Sequence, residues 1–206
     1  MDNAAGLGIV ELLGLAASLS LLAGWRLFLV VAATGLGLRA GLAPLPEHLS
    51  ALQVLANPWV IGIAGIGALA EFFADKVAWL DSLWDALNTL TRPVGGALLA
   101  LAILDPADPA VQVIAFLLGG GGALLAHGGK AGMRAAVNTS PEPVSNVMVS
   151  TAEDVATAGL LWLVWEWPVL AAGVAALLLL VAIALLVLVR RVLRALSGGG
   201  PAARRR

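Results

Sequence analysis

Nine ionisable side chains stand within or at the edges of long apolar stretches of this sequence: Arg26, Glu71, Asp75, Arg92, His127, Lys130, Arg134, Glu153 and Asp154. A charged group at the centre of a bilayer costs about 2.5–3.5 kcal/mol on insertion scales, so such residues face a bundle interior, find partners and mark function. Glu71 and Asp75 are four apart and share one helix face, whereas His127, Lys130 and Arg134 fall at i, i+3 and i+7 and share another. One acidic and one basic face thus lie at matching depth, and Arg92 with Glu153 and Asp154 would form a second such set. Arg26 lies nearest mid-membrane and needs a carboxylate or a backbone carbonyl beside it. Two chemistries follow. In one, carboxylates and His127 in a partly hydrated cavity bind a small cation or relay protons; in the other, Lys130, Arg134 and Arg92 hold an anionic head group. The structural alternative is that the charges are ion pairs joining helices near the cytoplasmic interface, where long basic side chains reach water.

Other chemistries lack their residues. With no cysteine there is no disulfide framework, thiolate zinc site or iron–sulfur cluster, and His48 and His127 alone make a poor metal site. No Gly-x-Ser-x-Gly turn is present. The run from Gly122 to Lys130 resembles a phosphate loop only superficially, since Ala131 stands where Ser or Thr would meet magnesium. A net charge of −1 gives no broad cationic footprint for nucleic acid. We expect no cofactor, no metal and no nucleic-acid partner; membrane lipids, a small ion or an anionic head group are the expected ligands, with homo-oligomerisation open.

The elements that must position these residues are membrane helices. Of 206 residues 60% are hydrophobic and 12% charged, against roughly 45–50% and 25% in a soluble domain. The N-terminal Met1-Asp2-Asn3 lacks the positive start of a cleaved signal, so the first apolar segment is expected to stay as a helix. The periodicity and punctuation give an all-α membrane protein of about six transmembrane helices. Leu7 to Leu38 reads as one tilted or broken helix. A loop with a short interfacial turn precedes Asn57-Pro58, a helix start in which Asn caps and Pro opens. The second span runs from Pro58 to about Ala74. Trp79 to Leu90 alternates Trp79, Leu83, Trp84, Leu87 with Asp81, Asp85 and Asn88, which predicts an amphipathic helix lying in the interface. Arg92-Pro93 would open a short third span. The fourth covers Ala110 to Arg134, with Gly119 to Gly122 allowing close approach and Gly128-xxx-Gly132 as a contact motif. The fifth runs from Val147 to Trp167 and the sixth from Val169 to Val189. Residues 1–190 form one polytopic domain, and 191–206 a basic, disordered cytoplasmic tail. Trp59, Trp79, Trp162, Trp165 and Trp167 read as interface anchors. With the C-terminus inside, the cytoplasmic side carries ten of the twelve Lys and Arg and the outside only Arg39. A tandem two-helix repeat is suggested by Gly67-Ala68-Leu69 before Asp75-Lys76 and Gly122-Ala123-Leu124 before Lys130.

The stretch Glu71-Phe72-Phe73-Ala74-Asp75-Lys76, continued by Asp81-Ser82-Leu83-Trp84-Asp85 and Arg92-Pro93, resembles a bacterial membrane family catalogued as domain of unknown function 4126. His127-Gly128-Gly129-Lys130-Ala131-Gly132-Met133-Arg134-Ala135, Asn138-Thr139-Ser140-Pro141-Glu142-Pro143 and Glu153-Asp154 resemble its other motifs. The resemblance spans Gly6 to Val189 and implies a multi-pass membrane protein, with no activity attached to any residue. Taken together, the residues point to a small transporter or channel-like protein of the bacterial inner membrane with a polar intramembrane site. The alternatives are a scaffold or accessory subunit with structural ion pairs, and an intramembrane lipid-modifying enzyme using His127 as base.

Overall fold

The computed structural model describes residues 8–42, 47–105, 107–138 and 143–197, and all the regular structure among them is helical. The helices are α1 (Ile9–Arg39), α2 (Pro58–Ala74), α3 (Ala78–Leu104), α4 (Pro109–Val137), α5 (Pro143–Glu166) and α6 (Pro168–Ser197), with a 3-10 segment over Glu47–Ala56 before α2. Four of these, α1, α3, α4 and α5, are long and apolar enough to cross a bilayer. The 3-10 segment and α2, bent by 70° across their junction, make a fifth if taken as one broken span. The expected six is therefore too many among the described residues. The 17 residues of α2 extend about 25 Å, short of the roughly 30 Å hydrocarbon core.

Local chemistry starts the helices where the sequence indicates. The Asn57 side chain accepts a hydrogen bond from the Trp59 amide at 2.9 Å, with Pro58 in the first turn, and Asp108 accepts from the Ala110 amide at 2.7 Å, ahead of α4 with Pro109. Replacing Asn57 by Ala is expected to cost about 1 kcal/mol, read as a lowered melting temperature in detergent; an unchanged melting temperature would show that the first turn of α2 does not need its cap.

Helix α1 is the central element, with the 3-10 segment and all five other helices packed on it. Its Leu15, Leu19 and Leu22 meet Leu160, Leu161 and Val164 of α5, Ala171 of α6, and Leu99 and Ile103 of α3 in one apolar cluster. As anticipated, it is a single broken helix, and the break falls at Arg26, whose φ of −146° and ψ of 69° leave the helical region. Small residues let α1, α3 and α4 cross closely. A Cβ on Gly24 would lie 2.1 Å from the Ala123 carbonyl oxygen, and one on Gly119 would lie 2.5 Å from the Ala100 Cβ. By contrast a Cβ on Gly121 or Gly128 would meet nothing within 4 Å, so the expected contact motif at Gly128 packs against no other described helix of this chain.

Helix α3 corrects a second expectation. The interfacial helix and the third span are one continuous helix that runs through Pro93, with no restart at Arg92. Its polar face, Asp81, Asp85, Asn88 and Arg92, is buried in the bundle, whereas Trp79, Leu83, Leu87 and Leu90 are 48–77% exposed. In lipid the apolar face belongs outside and the polar face at the centre, the reverse of the arrangement at a water interface. Helix α6 continues to Ser197, through the first residues of the expected tail, and 198–206 lie outside the described residues, as does the side chain of His48. The paired helices of the suggested repeat are unequal, α2 having 17 residues and α4 having 29.

Candidate functional site

The charged residues converge where the α2–α3 turn, the C-terminal half of α4 and the N-terminal half of α5 surround the break in α1. At that break, the Arg26 guanidinium lies 2.5 Å from Asp75 Oδ2, 3.0 Å from Asp154 Oδ1 and 3.6 Å from Glu153 Oε2. The requirement of a carboxylate beside Arg26 is met three times over. Lys130 of α4 donates to Glu71 Oε1 at 3.2 Å and Asp75 Oδ2 at 3.4 Å, and its ammonium also reaches the carbonyl of Trp25 at 3.4 Å, on the turn that precedes the break. Helix interruption frees carbonyls of this kind, and a buried cation is a suitable partner for one.

Arg92 binds the second group. It lies 2.6 Å from Glu71 Oε1 and 2.9 Å from Asp85 Oδ1, and one of its amino groups is 2.7 Å from His127 Nδ1. An arginine has no lone pair to offer, so His127 Nδ1 accepts and the proton sits on Nε2, which is 3.3 Å from the Thr89 hydroxyl. This geometry occupies His127 Nδ1, a nitrogen that a general base would use. Arg92 was expected opposite Glu153 and Asp154; those carboxylates instead face Arg26, because Arg92 points to the α2 side of α3. Arg134 closes the third group: its Nε donates to both oxygens of Asp81 at 3.1 Å, and its amino groups donate to the Asn146 carbonyl at 3.2 Å and to the Asp75 carbonyl. Asn138 donates to Asp81 Oδ2 at 2.7 Å. At the margin, Lys76 donates to Ser150 at 2.7 Å, lies 3.6 Å from Asp154 and caps the Phe72 ring.

All nine residues singled out from sequence thus belong to one network. Sequence reasoning missed Asp81, Asp85, Lys76, Asn138 and Ser150. The signal for the first two was present, since Asp81, Asp85, Asn88 and Arg92 recur at helical spacing on one face.

The network is largely buried and uneven. Glu71, Asp75, Asp81 and Arg92 are fully buried, and Lys130 and Arg134 nearly so. Five cations (Arg26, Lys76, Arg92, Lys130, Arg134) face six carboxylates (Glu71, Asp75, Asp81, Asp85, Glu153, Asp154), so full ionisation leaves one negative charge over. Glu71 Oε2, Asp75 Oδ1 and both oxygens of Glu153 are buried without a hydrogen bond. Among the described residues no group of three or more His, Asp or Glu is arranged to hold a metal ion. A cavity of about 250 Å³ between α3 and α4 reaches the network, lined by Asp81, Asp85, Thr89, His127, Arg134 and Asn138. Ser82, Ala86 and Ala135 on its rim are exposed.

A family model described as a domain of unknown function (DUF4126) matches residues 13–188, in agreement with the resemblance carried by the motifs. No curated protein and no solved structure matches the chain.

Proposed function

We propose, for a chain that belongs to the DUF4126 family, a small transporter or channel-like protein of the bacterial inner membrane that passes a small cation, protons included, through the buried charge network. The observation that carries this reading is the break of α1 at Arg26, inside a cluster where carboxylates outnumber cations. Irregular backbone at membrane depth is tolerated where it is buried in protein or lines a cavity, and interrupted helices are a recurrent way of building ion sites there. The cavity between α3 and α4, lined by Asp81, Asp85 and Arg134, supplies an approach. An anionic head group is the poorer ligand, because Arg92, Lys130 and Arg134 already face carboxylates at 3.4 Å or less. By the distribution of Lys and Arg, the end of the bundle bearing the network faces the cytoplasm.

The purified protein in liposomes tests this. With an entrapped pH-sensitive dye and a potassium gradient, proton, sodium or potassium flux should exceed that of empty vesicles and fall to their level in Asp75→Asn. Folded protein that passes none of the three ions would overturn the proposal in favour of a scaffold. That second reading has its own supporting observation, since each of the five cations lies within 3.6 Å of a carboxylate. Exchanging Glu71 and Arg92 for one another restores a structural pair but not a tuned ion site, so recovered stability with no flux in either protein favours the scaffold.

A further inference from the structure

We infer that Glu153 is the proton-binding residue of this membrane domain, occupied by a proton delivered from hydronium and emptied to water. The inference deepens the transport reading, on which only its flux arm rests. Glu153 is 4% exposed, and neither of its carboxylate oxygens has a hydrogen bond. An ionised carboxylate in that condition is strongly disfavoured, whereas a neutral carboxylic acid is tolerated.

The surrounding charges do not remove the problem. Arg26 of α1 is nearest, at 3.6 Å, but it is engaged more closely by Asp75 at 2.5 Å and Asp154 at 3.0 Å. Lys130 and Arg134 of α4 also act on Glu153, and each is committed elsewhere, to Glu71 and Asp75 and to Asp81 respectively. Asp75, beyond the end of α2, adds repulsion. The one carboxylate in excess over cations is therefore best placed at Glu153, and one proton balances the network. A metal cation fits less well: a hard ion takes about six oxygen ligands, no such group exists among the described residues, and Arg26 would sit against it. Protonation forms one O–H bond, neutralises the carboxylate and leaves Arg26 paired with Asp75 and Asp154. Deprotonation returns a charge that draws Arg26 towards Glu153. Because Arg26 sits at the break of α1, occupancy at Glu153 is coupled to the one interrupted segment of the central helix.

Infrared spectroscopy of the purified full chain, read in the carbonyl region of protonated carboxylic acids as pH is varied, tests the site independently of transport. The wild type should show such a band over part of the pH range in which the protein stays folded, and lose it as pH is raised. Glu153→Gln, which mimics the neutral form and should fold, should lack the band and reduce proton flux to that of empty vesicles. Glu153→Asp should retain the band at a shifted frequency, and it decides the matter if the Gln variant does not fold. A band that is unchanged in either variant, or absent from the wild type at every pH where the protein stays folded, overturns the inference. A band that behaves as expected in vesicles that pass no protons leaves the proton site standing and removes the transport reading.

Discussion

Replacing Arg92 by methionine is expected to lower the stability of the protein in detergent by about 3–5 kcal/mol, the range for removing one partner of a buried ion pair. Methionine restores much of the volume of the stem, so the loss reports the charge rather than a void. Arg92 is fully buried and bridges Glu71 at 2.6 Å, Asp85 at 2.9 Å and His127 Nδ1 at 2.7 Å, which ties the end of α2 to α3 and α4. Without it Glu71 retains only Lys130, at 3.2 Å, and Asp85 has no ion-pair partner among the described residues. Thermal unfolding in detergent, followed by the loss of monodisperse protein, measures the change. Adding Glu71→Gln and Asp85→Asn to Arg92→Met removes the stranded charges and should recover most of the lost stability, because a neutral hydrogen-bonded cluster is no worse than an ionic one once buried. Flux should not recover in that triple variant. A single variant as stable as the wild type would mean that these contacts contribute nothing to folding.

The charged residues were legible in the sequence because each stands against an apolar background; that contrast found Arg26, Glu71 and Lys130 equally well. The start of α2 was legible for a local reason, as Asn57-Pro58 carries its own cap. Partnership was not legible. The spacing of His127, Lys130 and Arg134 places them on one face of α4, yet they serve three different groups, His127 meeting Arg92, Lys130 meeting Glu71 and Asp75, and Arg134 meeting Asp81. Which carboxylate a cation meets depends on helix rotation and crossing, and neither is written in one helix alone. The Trp79 to Leu90 segment shows a different limit. Its period is that of an amphipathic helix in either solvent arrangement, and only its neighbours decide whether Asp81 and Asp85 face water or a bundle interior. Arg92 at the next step of the same polar face tips that decision, since a buried guanidinium needs carboxylates beside it. The number of spans failed for a related reason: Pro58 to Ala74 was legible as a helix with these bounds, but its 17 residues fall short of a full crossing, and the 70° bend that joins it to the preceding 3-10 segment depends on packing that one segment does not record.

Gly24→Ala is expected to be as damaging as the loss of Arg92, although it adds a single methyl group. A Cβ at Gly24 would stand 2.1 Å from the carbonyl oxygen of Ala123, 2.7 Å from its carbonyl carbon and 2.7 Å from its Cα. All three are backbone atoms within a regular helix, so no rotamer change relieves the overlap and α1 must move away from α4. Overpacking usually costs about 1–3 kcal/mol, and a clash against rigid backbone at the crossing of the central helix belongs at the upper end or beyond. Displacement there also moves Arg26, two residues on, away from Asp75, so flux should fall even in protein that remains folded. Ala123→Gly should not rescue the variant, because the obstacle is the Ala123 backbone. Gly96→Ala makes the informative contrast: its Cβ would meet the Ala123 Cβ at 2.5 Å, a side-chain atom that Ala123→Gly removes, leaving the Gly119 carbonyl at 3.0 Å. Partial rescue is expected there. Gly121→Ala, which meets nothing within 4 Å, should be neutral or slightly stabilising. Melting temperatures and proton flux of these five proteins measure the crossing directly. If Gly24→Ala melts with Gly121→Ala, the close approach of α1 to α4 is not what holds Arg26 against Asp75.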